Sequence, residues 1–135
     1  MRVTDVIKRM YRITETEFQE AVEKAILSIP EEFRVIIDNV AFVVQDEPTN
    51  SQLASVAGPP RRELLGLYSG IALPRRSVHY GIGGSQPDTI TIFKGPHERV
   101  SFSKEDLTER IRVTVLHEVG HYFGMNEQQL RDAGY

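Results

Sequence analysis

Two histidines and a glutamate near the C-terminus have the types and spacing of a metal-dependent hydrolytic centre. The segment His117-Glu118-Val119-Gly120-His121 has the pattern H-E-x-x-H. On a helix, residues four apart lie ~40° apart around the axis, so both imidazoles leave the same face and can bind one Zn²⁺. Glu118 then stands beside the first ligand, where it can take a proton from a zinc-bound water whose pKa falls toward ~7. The motif therefore predicts a zinc centre with Glu118 as its catalytic base.

The chain has 135 residues and no cysteine, so a bound metal must be held by His, Asp or Glu. Without thiolates, neither a disulfide framework nor a zinc finger or ribbon can form. The four histidines are His79, His97, His117 and His121, and His97 is expected in an exposed loop. Two imidazoles and a carboxylate also suit non-haem iron, but the glutamate after the first motif histidine favours zinc.

A catalytic zinc needs a third protein ligand, and the fourteen residues after His121 contain one glutamate, Glu127, and one aspartate, Asp132. Gly124 lets the chain turn sharply after the helix, so that Glu127 can return to the metal. Asp132 would need a longer return. A different interpretation makes Glu127 a charge in the first turn of a last short helix. The spacing therefore predicts Glu127 as the third ligand, with Asp132 as the alternative.

Two substantial helices are predicted. Thr14-Glu15-Thr16-Glu17 is a capping box that begins the first helix. The apolar residues behind it repeat at helical spacing and are Phe18, Ala21, Val22, Ala25, Ile26 and Ile29. Pro30 ends this helix or opens a short second one at residues 30–33. The long helix that contains the motif begins at Ser103 and stops at Gly124.

Three short strands are predicted from β-branched residues and turn signals, at Asn39–Gln45, Leu64–Tyr68 and Thr89–Phe93. The glycine within the second strand indicates a bulge or a close backbone approach. Gly95-Pro96 closes the third strand, and residues 47–63, which lack periodicity, are expected to form a surface loop. These elements predict an α+β fold with a small sheet beside two helices.

Peptide hydrolysis also needs a donor that stabilises the oxyanion and a strand edge that aligns an extended chain. Weak candidates for substrate binding are His79 and Tyr80, in a glycine-rich segment, and Tyr68. No spacing links any of them to the metal. Either Leu64–Tyr68 or Thr89–Phe93 can supply the strand edge.

Charge and hydropathy exclude several classes of partner. The formal charge is −3, from 16 basic and 19 acidic side chains, and the pI is ≈ 5.8, so no nucleic-acid surface is predicted. No apolar run approaches the ~20 residues that span a bilayer, and residues 1–13 lack the features of a secretory signal. We expect a cytoplasmic protein without membrane contacts. Residues 14–135 are predicted as one domain, preceded by an extension or short helix at residues 1–13.

The segment Thr14–Arg131 resembles the minimal zincin-like metallopeptidase family of small bacterial proteins. The stretches that carry the resemblance are Pro30-Glu31-Glu32-Phe33, Asp38-Asn39-Val40-Ala41-Phe42-Val43-Val44, Leu64-Leu65-Gly66-Leu67-Tyr68, Pro74-Arg75-Arg76-Ser77, Asp88-Thr89-Ile90-Thr91-Ile92-Phe93 with Gly95-Pro96, and Arg112-Val113-Thr114-Val115-Leu116-His117-Glu118. The resemblance implies a compact zincin-like fold, with a small mixed β-sheet packed on an N-terminal helix and the long active-site helix.

The same resemblance implies one zinc ion per chain, held by His117, His121 and a third acidic ligand. It also implies hydrolysis of peptide bonds in a peptide or an unstructured protein segment. The family usually has Asp where this chain has Glu127, which is one methylene longer.

Two other functions fit the residues. A zinc-binding interaction or regulatory domain with little or no hydrolytic activity fits the short chain, which offers little surface for the second wall of a cleft. The other function is a structural zinc site that only stabilises the fold. Such a site usually has four protein ligands, whereas only three are easily named here.

Overall fold

The computed structural model describes residues 11–56, 63–72 and 87–135, and these form the α+β architecture expected from the sequence. The helices are α1 (Glu15–Leu27), α2 (Glu31–Arg34), α3 (Asn50–Ala54), α4 (Lys94–Val100), α5 (Lys104–Tyr122) and α6 (Glu127–Asp132). The strands are β1 (Val40–Gln45), β2 (Gly66–Ser69) and β3 (Asp88–Phe93).

The capping box at Thr14 begins α1 as predicted. Thr14 Oγ1 accepts the Glu17 amide at 3.1 Å, and Glu17 Oε1 accepts the Thr14 amide at 3.0 Å. The predicted apolar stripe faces inward, with Phe18 and Val22 almost fully buried. This helix is therefore fixed by a local cap and by burial of one face.

The sheet is mixed, with strand order β1-β3-β2. β1 runs parallel to β3, and β2 runs antiparallel to it. Within the described residues β3 is paired on both sides, so Thr89–Phe93 is not a strand edge. In the part of the chain that the structure describes, β2, which corresponds to the predicted strand Leu64–Tyr68, pairs only with β3.

Helix α5 carries the motif and forms much of the core. Ser103 Oγ accepts the Asp106 amide at 3.0 Å at its beginning, and Gly124 has φ 87° just after its end, as the sequence predicts. The helix contacts α1, β2 and β3. Its buried apolar side chains join those of α1 and β3 in one cluster that contains Phe18, Val22, Ala25, Ile29, Ile90, Ile92, Leu107, Ile111, Val115 and Val119. Burial of this cluster is the main stabilising contribution to the position of the motif.

The prediction for the segment after β3 was wrong. β3 ends at Phe93, just before Gly95-Pro96 as predicted, but a helix, α4, follows it directly in place of the expected exposed loop at His97. Pro96 lies in the first turn of α4, where its missing N–H breaks no helical hydrogen bond. His97, expected in an exposed loop, is fully buried. Its Nδ1 donates to the Phe93 carbonyl at 2.7 Å, and its Nε2 lies 2.9 Å from Thr114 Oγ1 on α5.

The expected loop at residues 47–63 contains the short helix α3. Thr49 Oγ1 accepts the Gln52 amide at 3.1 Å, and Gln52 Oε1 accepts the Thr49 amide at 2.8 Å. This is a second capping box, and it forms one helical turn that periodicity alone does not reveal.

The beginning of the described chain is attached to α4. The Tyr11 amide donates to the Glu98 carbonyl, and the Ile13 amide donates to Glu98 Oε2 at 3.0 Å. The first ten residues of the predicted extension lie outside the described residues. No helix in the described parts of the chain is long and apolar enough to cross a membrane.

Candidate metal centre

His117 and His121 lie on the same face of α5, as the four-residue spacing predicts. Their ring centroids are 4.9 Å apart, and about a quarter of each side chain is exposed. Both rings therefore reach solvent from the surface of a helix that packs into the core with a neighbouring face.

The backbone that follows α5 orients the His121 ring. His121 Nδ1 donates to the Met125 carbonyl at 3.0 Å. A carbonyl only accepts, so Nδ1 carries a proton, and Nε2 can present its lone pair to a metal when the ring is neutral. Met125 is held by the turn at Gly124, since its amide donates to the Gly120 carbonyl at 3.0 Å. The turn thus leaves the His121 Nε2 atom available as a metal ligand.

Glu127 faces both imidazoles from the first turn of α6. Its Oε1 lies 2.8 Å from His121 Nε2, and its Oε2 lies 3.3 Å from His117 Nε2. Burial raises the pKa of Glu127, but electrostatic attraction to His117 and His121 and their hydrogen bonds to the carboxylate lower it more strongly, so the pKa lies below its usual value. Asp132, the alternative, is exposed and accepts a hydrogen bond from Gln128 at 2.9 Å. Glu127 is therefore both an acidic residue in the first turn of α6 and a neighbour of the His117 and His121 rings.

Glu118 occupies a different position from Glu127. It is 7% exposed, and its Oε1 accepts the Tyr68 backbone amide at 2.9 Å. Its Oε2 lies 4.0 Å from His117 Nε2. Burial raises the pKa of Glu118 above its usual value, although electrostatic attraction to His117 and His121 and the hydrogen bond from the Tyr68 amide oppose the shift. One oxygen is thus fixed by strand β2, and the other points toward the imidazoles.

The ladder between β2 and β3 explains why the Tyr68 amide is directed to Glu118. The Phe93 amide donates to the Leu65 carbonyl at 2.9 Å, so this pair is hydrogen-bonded. Bonded and non-bonded pairs alternate along antiparallel strands, so the backbone groups of Gly66 and Tyr68 face away from β3. Glu118 therefore lies at the outer side of β2.

Gly66 allows α5 to approach β2 closely, as its position in the predicted strand indicates. A Cβ at Gly66 would lie 2.7 Å from Thr114 Cγ2 and 3.1 Å from Glu118 Cγ. A side chain here would push the motif helix away from the strand that holds Glu118.

We expect Gly66→Ala to lower the free energy of unfolding by about 1–3 kcal/mol, because the added methyl overpacks a rigid β-branched contact. Urea denaturation measures the loss. Thr114→Ser in the same background removes the methyl that the new Cβ meets and keeps the hydroxyl beside His97. This second change should recover part of the stability. Wild-type stability in Gly66→Ala would contradict the close packing.

Of the weak substrate-binding candidates, only Tyr68 lies in the described part of the chain, whereas His79 and Tyr80 lie outside it. The Tyr68 hydroxyl donates to Asp88 Oδ2 at 2.6 Å, and its ring packs edge-on against Tyr122. The hydroxyl proton of Tyr68 is therefore donated to Asp88, which is 1% exposed.

Sequence reasoning missed the groups that orient these side chains. The Tyr68 amide and the Met125 carbonyl are backbone atoms, and no side-chain pattern reveals them. Leu130 gives a signal that could have been read, because it is the only apolar residue in α6 and is fully buried.

The donor set fits a zinc ion. Within the described residues, His117, Glu118 and His121 offer ligand atoms that all lie within 4.8 Å of one another. Glu127 lies closer to both rings than Glu118 does to His117. The 3.3 Å between His117 Nε2 and Glu127 Oε2 matches the ~3.3 Å edge of a tetrahedron with arms of about 2.0 Å. Of the two glutamates, Glu127 is thus the one whose carboxylate lies against both imidazoles.

The sequence profile described as zincin-like metallopeptidase matches residues 37–135 of the chain. The matched region begins before β1 and includes α5, α6 and each residue of the candidate metal centre. No curated protein matches the chain.

Proposed function

Because the chain belongs to the zincin-like metallopeptidase family, we propose that it is a zinc-dependent hydrolase of peptide bonds. His117, His121 and Glu127 hold the metal, and Glu118 is the catalytic base. The observation that carries this proposal is the Glu127 carboxylate, whose two oxygens lie 2.8 and 3.3 Å from the Nε2 atoms of His121 and His117.

When bound, zinc supplies a Lewis acid that polarises a carbonyl and lowers the pKa of water. The protein supplies the proton acceptor. Glu118 is held through one oxygen by the Tyr68 amide, which leaves its other oxygen to accept a proton.

The outer side of β2 supports an extended peptide as substrate. The backbone of Gly66 faces away from β3, and the Tyr68 amide on the same side is held by Glu118. An extended chain that adds to this edge as a further strand would bring its backbone next to Glu118. Such pairing requires a segment without secondary structure of its own, so we propose an unstructured peptide or protein segment.

Incubation with a library of unstructured peptides tests the proposed function. We expect cleavage that a chelator abolishes and added zinc restores, with one zinc bound per chain. Zinc binding without cleavage of any peptide would favour the interaction domain instead. Cleavage that persists after complete removal of metal would contradict the proposed chemistry. Unfolding on chelation would favour a structural zinc site.

A further inference from the structure

Helix α6, which carries Glu127, depends on other parts of the fold for its position. It has six residues, and a helix this short is not stable in isolation. Leu130 is its one buried residue and is fully buried, whereas the other five residues are exposed. The packing of Leu130 is therefore the main apolar contact that attaches the helix.

Leu130 fills the space beside Gly120 that a side chain there would occupy. A Cβ at Gly120 would lie 2.3 Å from Leu130 Cδ2 and 3.4 Å from Met125 Sδ. Gly120 directly precedes His121, and its carbonyl also accepts the Met125 amide. The two helices that carry the candidate ligands thus meet at one residue of the motif.

The connection from Leu130 to Glu127 is short and rigid. Asn126 Oδ1 accepts the Gln129 amide at 2.8 Å, and Gln129 Oε1 accepts the Asn126 amide at 2.8 Å. This capping box fixes the first turn of α6, with Glu127 three residues before Leu130 on neighbouring positions of one face. A shift of Leu130 would therefore move the Glu127 carboxylate relative to the imidazoles.

We infer that Leu130 is a positioning residue for the third metal ligand, and that its contact with Gly120 sets the separation between Glu127 and the two histidines. The inference rests on the proposed function, because it takes Glu127 as a zinc ligand. A purely structural role for Leu130 would lower stability in the same way as any other buried leucine, without a specific effect on the metal.

Zinc affinity of the full chain, measured by competition with a chromophoric chelator, tests the inference. We expect Leu130→Ala to weaken zinc binding by about 10- to 100-fold, the effect typical of residues that orient metal ligands. The matched control is Leu107→Ala, which truncates an equally buried leucine near the beginning of α5. This variant should lose stability and keep its zinc affinity. Leu130→Val, a smaller truncation, gives a weaker loss in the same direction and serves if Leu130→Ala does not fold.

A double-mutant comparison separates the possible causes. In a Glu127→Ala background, Leu130→Ala should cause no further loss of zinc affinity, because the ligand that it positions is gone. A further loss there, or an equal loss in Leu107→Ala, would overturn the inference. Weakened binding in Glu127→Ala with wild-type affinity in Leu130→Ala would overturn this inference alone. Unchanged affinity in Glu127→Ala would instead overturn the proposed metal site.

Discussion

Glu118→Gln is expected to lower kcat/KM for a cleaved peptide by about 10²- to 10⁴-fold, the usual contribution of a general base, while zinc binding is retained. Glutamine has the same shape, and its carbonyl oxygen can still accept the Tyr68 amide that holds Glu118 at 2.9 Å. What the substitution removes is the second carboxylate oxygen, the proton acceptor of the proposed reaction. Rates with a peptide identified from the library, together with zinc content per chain, measure both effects.

Glu109→Gln is the matched control for this change, since it lies on the same helix and alters the same chemical group. Glu109 is exposed and pairs with Arg112 at 2.7 Å, and surface pairs of this kind contribute little to stability. The control should cleave peptides at the wild-type rate. A Glu118→Gln variant that bound zinc and cleaved equally fast would show that another group accepts the proton.

Acidification is expected to destabilise the fold through His97, independently of the metal centre. Burial lowers the pKa of His97 from 6.5 to about 4. Below pH 6.5 the unfolded chain therefore binds a proton that the folded protein excludes, so stability is lost as the pH falls from 6.5 toward 4. At ~1.4 kcal/mol per unit of pKa difference, the loss reaches about 3 kcal/mol. Urea denaturation of the metal-free protein at about pH 7 and about pH 4.5 measures it.

The comparison variant for this prediction is His97→Gln. Glutamine is neutral throughout this range and can still donate to the Phe93 carbonyl, which accepts His97 Nδ1 at 2.7 Å. The variant should be less stable than the wild type at neutral pH but should lose less stability on acidification. Because all other titrating groups are shared, the difference between the two pH profiles isolates the histidine. Parallel profiles would contradict the lowered pKa of His97.

The features that could be predicted from the sequence are those that depend on neighbouring residues. The capping box at Thr14, the cap at Ser103 and the glycine that ends α5 act within one helical turn, and all three were confirmed. The histidine pair shares one face because i and i+4 always do on a helix. The position of Glu127 near that face could also be predicted, because the turn at Gly124 returns the chain to the helix within a few residues.

The features that could not be predicted depend on contacts between distant segments. His97 was expected in an exposed loop because it lies between Pro96 and Glu98, whereas it is in fact part of a helix and buried against Thr114, seventeen residues later. The Tyr68 amide reaches Glu118 across fifty residues, through a register that only strand pairing sets. Neither contact can be recognised from residues that are close together in the sequence.

The family match and the folded core have different boundaries along the chain. The match begins at residue 37, after α1, yet Phe18 and Val22 of that helix lie in one cluster with Ile111 and Val115 of α5. A fragment cut at the boundary of the match would keep every candidate ligand but leave the apolar side of the histidine-bearing helix facing water. The part of the chain that the family profile matches is thus smaller than the part that packs together. The metal centre therefore depends on a helix that lies outside the matched residues.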